Sequence, residues 1–382
     1  MTNIQNKKYP YAMNLFFTGK CNLNCRYCFV DKENQGNLTL SEASIKKSID
    51  TLFSFPGKRK SMTFVGGEPM MEFNLVKKTY DYALALAKKK KVLLDVIVST
   101  NGTKLDQKSL DYFSKNSAIL KISIDGNKKT HDKNRPFKNM HGKSSFDSVM
   151  SNLKKIDFKN LKVTASLVFT PDSLGKLVEN IKFLNSKNFY SIEFYPDFYA
   201  SWKESDLQKM KKVFHQFEMY YESLFKGNGR VFKNFQIDAV FNNLEFRRRE
   251  QCGKINVDAE GNFYVCDKVF SLNQRDRKRY AVGNTKKGID NKKRVGLIDK
   301  INKSFFKKAG LGCEKCLLLK HCFCLTGHFI YFSNLKKDKQ DADFWKNLCF
   351  IFKIYYKTSL SIKKALKNNQ RFITLYKTDE LS

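Results

Sequence analysis

Acidic residues, prolines and glycines are all scarce in this chain. Its 382 residues hold 37 Asp+Glu against 71 Lys+Arg, a formal net charge of +34. A field of that sign draws acidic partners, such as nucleic acid, an acidic peptide leader or an electron-donor flavoprotein. The basic residues are nonetheless spread along the whole length, and no nucleic-acid-binding motif stands out, so nucleic acid is the lesser reading. With 6 Pro and 19 Gly, a collagen-like or low-complexity chain is excluded. No apolar run reaches the ~18 residues that span a bilayer. The opening MTNIQNKKYPYAMNLFF has neither the compact apolar stretch nor the small-residue cleavage site of a secretion signal. A soluble, cytoplasmic protein with no membrane partner is expected. Its 42% apolar and 14% aromatic residues suffice for a sizeable core, and the length predicts two or three domains.

Cysteine is missing from the entire stretch between Cys28 and Cys252. The ten cysteines fall into two groups: Cys21, Cys25 and Cys28, then Cys252, Cys266, Cys313, Cys316, Cys322, Cys324 and Cys349. In a reducing compartment, clustered thiols serve as metal or redox ligands more often than as disulfides. Two cysteine-bearing modules around a scaffold are predicted.

The scaffold alternates between two periodicities. Strand-like runs rich in Ile, Val and Phe stand at Ala12–Phe17, Ser61–Val65, Val92–Thr100, Ile119–Ile124, Leu161–Thr170 and Tyr190–Tyr195. Between them, Ile45, Ile49, Leu52 and Phe53 share one helical face, with Thr39 and Glu42 as a capping-box pattern. Asn74–Lys91, Gln107–Ser114, Phe146–Ile156 and Leu174–Ser186 read the same way. Six strand–helix units predict an α/β fold, a parallel sheet curled into a partial (β/α)6 barrel of the TIM type. Active groups in such a sheet sit just beyond the carboxyl ends of the strands. Residues 1–200 are assigned to the barrel and 201–244 to a helical linker containing Glu204–Phe225. Residues 245–352 read as a small, loop-rich domain stapled by metal rather than by apolar burial. A basic amphipathic tail, 353–382, follows.

The strongest chemical signal is Cys21-x-x-x-Cys25-x-x-Cys28, in the loop directly after the first strand. Three thiolates from one short loop hold three irons of a four-iron cluster and leave the fourth open. A structural zinc site wants four ligands, and no fourth lies nearby.

With Tyr27, this loop resembles the CxxxCxφC motif of radical S-adenosylmethionine (radical SAM) enzymes, where φ is aromatic. Gly66-Gly67-Glu68-Pro69, closing the second strand, resembles their GGEP motif. Two glycines let backbone approach a ligand closely, and Glu68 would accept hydrogen bonds from the cofactor's ammonium group. Ser99 and Asn101, in Ser99-Thr100-Asn101-Gly102, stand where family members contact the ribose. Ser123-Ile124-Asp125-Gly126 with His131-Asp132-Lys133-Asn134-Arg135 resembles the SxDG…HDxxR stretch of peptide-modifying members, whose Arg pairs with the methionine carboxylate. The later cysteines resemble the SPASM extension and its two auxiliary four-iron clusters. By order of motif, Cys313, Cys316, Cys322 and Cys349 make one cluster. Cys252, Cys266 and Cys324 leave the other one ligand short, a place for His321, His328 or a substrate thiol. A single residue between Cys322 and Cys324, where the family commonly has three, departs from the pattern. Asp267 stands where anaerobic sulfatase-maturating enzymes place a proton-accepting carboxylate; a surface pair with Lys268 is the plainer alternative.

The resemblance implies an enzyme whose cofactors are a catalytic four-iron cluster, two auxiliary ones and S-adenosylmethionine. Its expected partners are a peptide or protein substrate and a low-potential donor such as flavodoxin or ferredoxin. Maturation of a ribosomally made peptide is expected first, and formylglycine formation on a sulfatase second. An RNA-modifying radical enzyme and a zinc-stapled, non-catalytic binding protein are the readings from other classes.

Overall fold

Alternation along the first six strands decides the architecture. β1 (Ala12–Phe16), β2 (Arg59–Val65), β3 (Leu93–Thr100), β4 (Ile119–Ser123), β5 (Lys162–Phe169) and β6 (Ser191–Pro196) pair in parallel and in sequence order. On one face Met62, Phe64, Val96, Val98, Leu120 and Ile122 are fully buried. The other face carries in-register rows such as Ser123–Ser166–Glu193, all only half-buried. The concave side of this partial (β/α)6 barrel is therefore polar and open, where a closed barrel fills with branched apolar layers. Lys121 pairs with Glu193 there, and the Tyr195 hydroxyl donates to the same carboxylate at 2.8 Å. The computed structural model describes residues 9–30, 36–140, 142–242, 252–322, 325–334 and 343–377.

The sheet does not stop at β1. β7 (Lys254–Val257) adds to it in parallel, from Ala12↔Lys254 to Leu15↔Val257, with a buried Asn14–Asn256 side-chain bond of 2.8 Å. β8 (Asn262–Tyr264), β9 (Ala281–Asn284) and β10 (Gly288–Ile289) continue it antiparallel, giving ten strands in one sheet among the described residues. The cysteine-bearing extension thus shares a sheet with the barrel.

Four local expectations change. The first helix, Glu42–Ser54, is capped by Ser41, which accepts from the Ser44 amide; Thr39 instead bridges to Thr18. Helix Glu204–Lys226, expected to be a linker, packs Phe214 and Phe217 against Phe194 of β6 and so serves as the sixth barrel helix. The 352/353 boundary falls inside an unbroken helix, Phe344–Leu366, whose Tyr355 hydroxyl donates to the Phe194 carbonyl at 2.9 Å. The expected loop-rich stretch also contains a 19-residue helix, Asn291–Ala309. Ile298, Ile301 and Phe305 bury its inner face, which its lysines masked in the sequence.

Candidate functional site

The cysteine loop begins where β1 ends, and the glycine pair fixes how it leaves. Gly67 N–H donates to the Thr18 carbonyl at 2.7 Å, and Glu68 N–H donates to the Lys20 carbonyl at 2.8 Å. A Cβ on Gly67 would stand 2.2 Å from the Lys20 carbonyl oxygen. One on Gly66, whose φ is +141°, would stand 2.5 Å from that of Thr18. In this fold the close backbone approach permitted by Gly66-Gly67 is therefore to residues 18–20, the lead into Cys21. Pro69 opens the short 3-10 turn that follows and is buried.

Glu68 is fully buried. Its Oε1 accepts from the Met70 amide (3.0 Å) and the Thr100 hydroxyl (2.7 Å), and its Oε2 accepts from the Asn101 amide at 2.6 Å. Burial raises its carboxyl above the ordinary range, and these bonds oppose that rise. The Asn101 side chain donates in turn to Asn22 Oδ1 at 2.9 Å, while Asn22 donates to the Thr103 hydroxyl at 2.8 Å. GGEP and the end of β3 are thus joined to the cysteine loop by one chain of hydrogen bonds. Ser99 and Ser123 lie half-buried on the concave face.

The far side of the loop is held by a backbone ribbon. Asn24 and Arg26 amides donate to the Pro136 and Asn134 carbonyls at 2.8 and 2.9 Å, and the Lys138 amide donates to the Asn22 carbonyl at 2.9 Å. Tyr27 donates its hydroxyl to Asp125, which also pairs with Arg135 at 3.1 Å. Arg135 Nε is buried with no hydrogen-bond partner among the described residues.

Cys21, Cys25 and Cys28 lie half-buried to exposed, and burial pushes the Cys21 thiol up to about 11. Among the described residues no three His, Cys, Asp or Glu side chains gather closely enough to hold a single metal ion. A bare ion needs ligands converging on one point, whereas a four-iron cluster is held at its corners, one thiolate per iron. A soft set of three thiols on one pinned loop fits a four-iron cluster, which takes one thiolate per iron.

The second cysteine group reaches back to this loop. Cys252 precedes β7 and Cys266 follows β8, so the two flank the open end of one hairpin. Cys266 donates to Asp267 Oδ1 at 3.5 Å, and Asp267 Oδ2 lies 3.8 Å from the Lys268 ammonium. That ammonium sits 3.8 Å from the ring centre of Phe29, next to Cys28. Asp267 therefore touches Cys266 and makes the plainer pairing with Lys268, and it is Lys268 that reaches the residue beside Cys28. Cys313, Cys316 and Cys349 are close enough that each of Cys313 and Cys349 feels the charge of others in the set. Cys322 donates to the Leu318 carbonyl at 3.6 Å. Cys324 lies outside the described residues. His321 tilts on Tyr356 with ring centres 4.5 Å apart, and the buried His328 packs edge-on to Phe198 at 4.7 Å.

The seam has one tight point that the sequence reading passed over. Gly327 lies inside helix Leu325–Ser333, where a Cβ would stand 2.8 Å from Lys268 Cγ and 3.0 Å from Cys266 Sγ. Alanine in a helix is ordinarily favoured over glycine by ~1 kcal/mol. Here Gly327→Ala is expected to destabilise by about 1–3 kcal/mol through overpacking. Chemical unfolding of the apoprotein measures it, and a gain in stability would show that the seam yields freely. Asp125, Asn22 and Lys268 were likewise not singled out as site residues; only their spatial neighbours reveal them.

Residues 15–184 match the radical SAM superfamily. Over 261 residues the chain is 28% identical to an uncharacterized protein, MJ0907, of Methanocaldococcus jannaschii, covering 67% of this chain and 84% of that one. It is 25% identical over 277 residues to a cysteine-type anaerobic sulfatase-maturating enzyme of Clostridium perfringens, covering 65% and 71%. Among solved structures, anSMEcpe with bound AdoMet superposes with a TM-score of 0.72 at 17% identity, over 96% of this chain and 98% of that one. Streptococcus suis SuiB bound to precursor peptide SuiA gives 0.59 at 14% identity, over 88% and 76%. These likenesses to solved structures concern the fold, a barrel carrying a C-terminal extension. The motif-bearing loop, the barrel behind it and the match over residues 15–184 together show that this chain carries a radical SAM domain and is an enzyme that uses a four-iron cluster and S-adenosylmethionine.

Proposed function

We propose that this enzyme modifies a side chain of a peptide or protein, foremost a ribosomally made peptide undergoing maturation. The observation that carries this reading is the open, polar concave face beside the cysteine loop. A polar cavity of about 500 Å³ opens beside the loop, lined by Arg26, Asn134, Thr170, Lys203 and Asp206 among others. Such a lining suits an extended polar chain better than a small apolar molecule.

Cys21, Cys25 and Cys28 would hold the catalytic cluster. When bound, it supplies the electron that cleaves S-adenosylmethionine to a hydrogen-abstracting radical. Gly66, Gly67, Glu68 and Pro69 shape the floor beside it, and Ser99, Asn101 and Ser123 present polar groups at the strand ends. Tyr27 and Arg135 border the same space. The remaining seven cysteines would hold auxiliary clusters. Asp267 would take a proton from the side chain being oxidised, a role supported by its contacts with Cys266 and with Lys268, which steadies its charge. The electron donor is a low-potential protein such as flavodoxin or ferredoxin, which a basic surface favours. No described helix is long and apolar enough to cross a membrane, and a cytoplasmic setting suits oxygen-sensitive clusters.

Formylglycine formation on a sulfatase is the second reading, favoured by the position of Asp267 directly after Cys266. Incubation under reduction with deuterated peptides encoded beside the gene, and separately with a sulfatase-derived cysteine peptide, discriminates the two. Deuterium should appear in 5′-deoxyadenosine from the maturation peptide. Transfer from the sulfatase peptide alone would select the second reading, and modification of RNA alone would overturn both.

A further inference from the structure

Asp125 closes β4 yet belongs to neither the cysteine set nor the expected cofactor contacts. Its carboxylate is wholly buried, with 0% exposure. Oδ2 accepts from the Tyr27 hydroxyl and from Asn134 Nδ2 at 3.2 Å. Oδ1 accepts from Arg135 at 3.1 Å and from the Val168 amide at 3.0 Å. A carboxylate offers about four acceptor sites, and here four donors from three chain segments occupy them. The Arg135 guanidinium also lies over the Tyr27 ring, 5.1 Å from its centre.

These segments converge on one thing. Tyr27 lies between Cys25 and Cys28. Asn134 and Arg135 begin the ribbon whose carbonyls receive the Asn24 and Arg26 amides. Below them the His131 Nδ1 accepts from the Asp125 amide at 3.3 Å, fixing the turn after β4. The Asp125 side chain thus grips the cysteine loop directly and also grips the strip against which the loop is laid.

We propose that Asp125 is a positioning residue for the iron-binding loop, acting through Tyr27 and Arg135 rather than by touching the cluster or the cofactor. This rests on the reading that Cys21, Cys25 and Cys28 hold a four-iron cluster. Asparagine in its place keeps the shape but removes the charge, leaving Arg135 buried against a neutral group. It also turns one acceptor into a donor that faces other donors. The loop then loses its anchor while the rest of the barrel keeps its apolar packing.

The test compares reconstituted wild type, Asp125→Asn, Tyr27→Phe and the double variant, each also built with Cys21→Ala/Cys25→Ala/Cys28→Ala. The readouts are the rate at which a ferrous chelator strips iron and the response of the reduced cluster's EPR spectrum to S-adenosylmethionine. Asp125→Asn should speed release of the loop's irons by about tenfold or more, and Tyr27→Phe by less. The double variant should be no worse than Asp125→Asn, because both act through one contact. In the triple-alanine background neither substitution should change the release of the remaining iron. Equal acceleration there would mean a general loss of stability and would overturn the proposal, as would wild-type rates in both single variants. If Asp125→Asn fails to fold, Tyr27→Phe decides by the same criteria. Wild-type iron content unmoved by the triple-alanine change would instead sink the cluster reading beneath it.

Discussion

Replacing Cys21, Cys25 and Cys28 together by alanine is expected to remove about a third of the iron, about four of the twelve atoms of three four-iron clusters. The structure explains why the rest of the protein should survive. The loop's path is set by backbone groups, with Gly67 and Glu68 amides on one side and Asn24, Arg26 and Lys138 amides on the other. None of these bonds needs a thiol. The auxiliary cysteines follow residue 250 and sit on other elements, so their iron should remain. Iron and sulfide analysis beside far-UV circular dichroism checks this. Loss of all iron, or of none, would show that the loop is not an independent metal site.

Removing the Glu68 carboxylate should have the next largest effect, and by two routes. As an acceptor for the cofactor's ammonium, its loss should cost ~1.5–3 kcal/mol of binding, or roughly tenfold to a hundredfold in affinity. The structure adds a second route. Glu68→Ala strands the Met70 and Asn101 amides and the Thr100 hydroxyl in a fully buried place. Each unsatisfied donor costs about 1–3 kcal/mol, so this variant should be several kcal/mol less stable. It should also load the loop's cluster poorly, because Asn101 steadies Asn22. Glu68→Gln retains the shape and one acceptor oxygen. Calorimetric titration with S-adenosylmethionine should show weaker binding in the glutamine variant at near-normal iron content. Unchanged affinity would confine Glu68 to a structural role.

Much of the barrel was legible because its signals are local. β2 to β6 each announce themselves by buried residues two apart, and the boundaries differ from expectation by at most two residues, as in Ser61 against Arg59 for β2. The cysteine loop and GGEP were legible because their spacing is chemical. What escaped the sequence is non-local. The four residues of β7, Lys254–Val257, carry no pattern that points to β1, some 240 positions earlier. Helix Asn291–Ala309 hides a three-and-four apolar spacing among lysines that face water. Asp125 sits in a recognisable stretch, but its four donors come from positions as distant as Tyr27 and Val168. The glycine pair was read as a site of close approach to a ligand, whereas the group it meets in the fold is the backbone of residues 18–20, a matter of topology. Of the seven later cysteines, Cys313, Cys316 and Cys349 stand near one another. Cys324, outside the described residues, leaves the last ligand to experiment.

The most direct measurement of the central claim is reductive cleavage of S-adenosylmethionine by the purified protein. After anaerobic reconstitution with iron and sulfide, the brown enzyme is mixed with S-adenosylmethionine and dithionite, and the products are quantified by liquid chromatography. Methionine and 5′-deoxyadenosine should accumulate in equal amounts with wild type, and neither with the Cys21/Cys25/Cys28 triple-alanine variant. A colourless, zinc-bearing protein that leaves S-adenosylmethionine intact, or cleavage undiminished in the triple variant, would contradict the account.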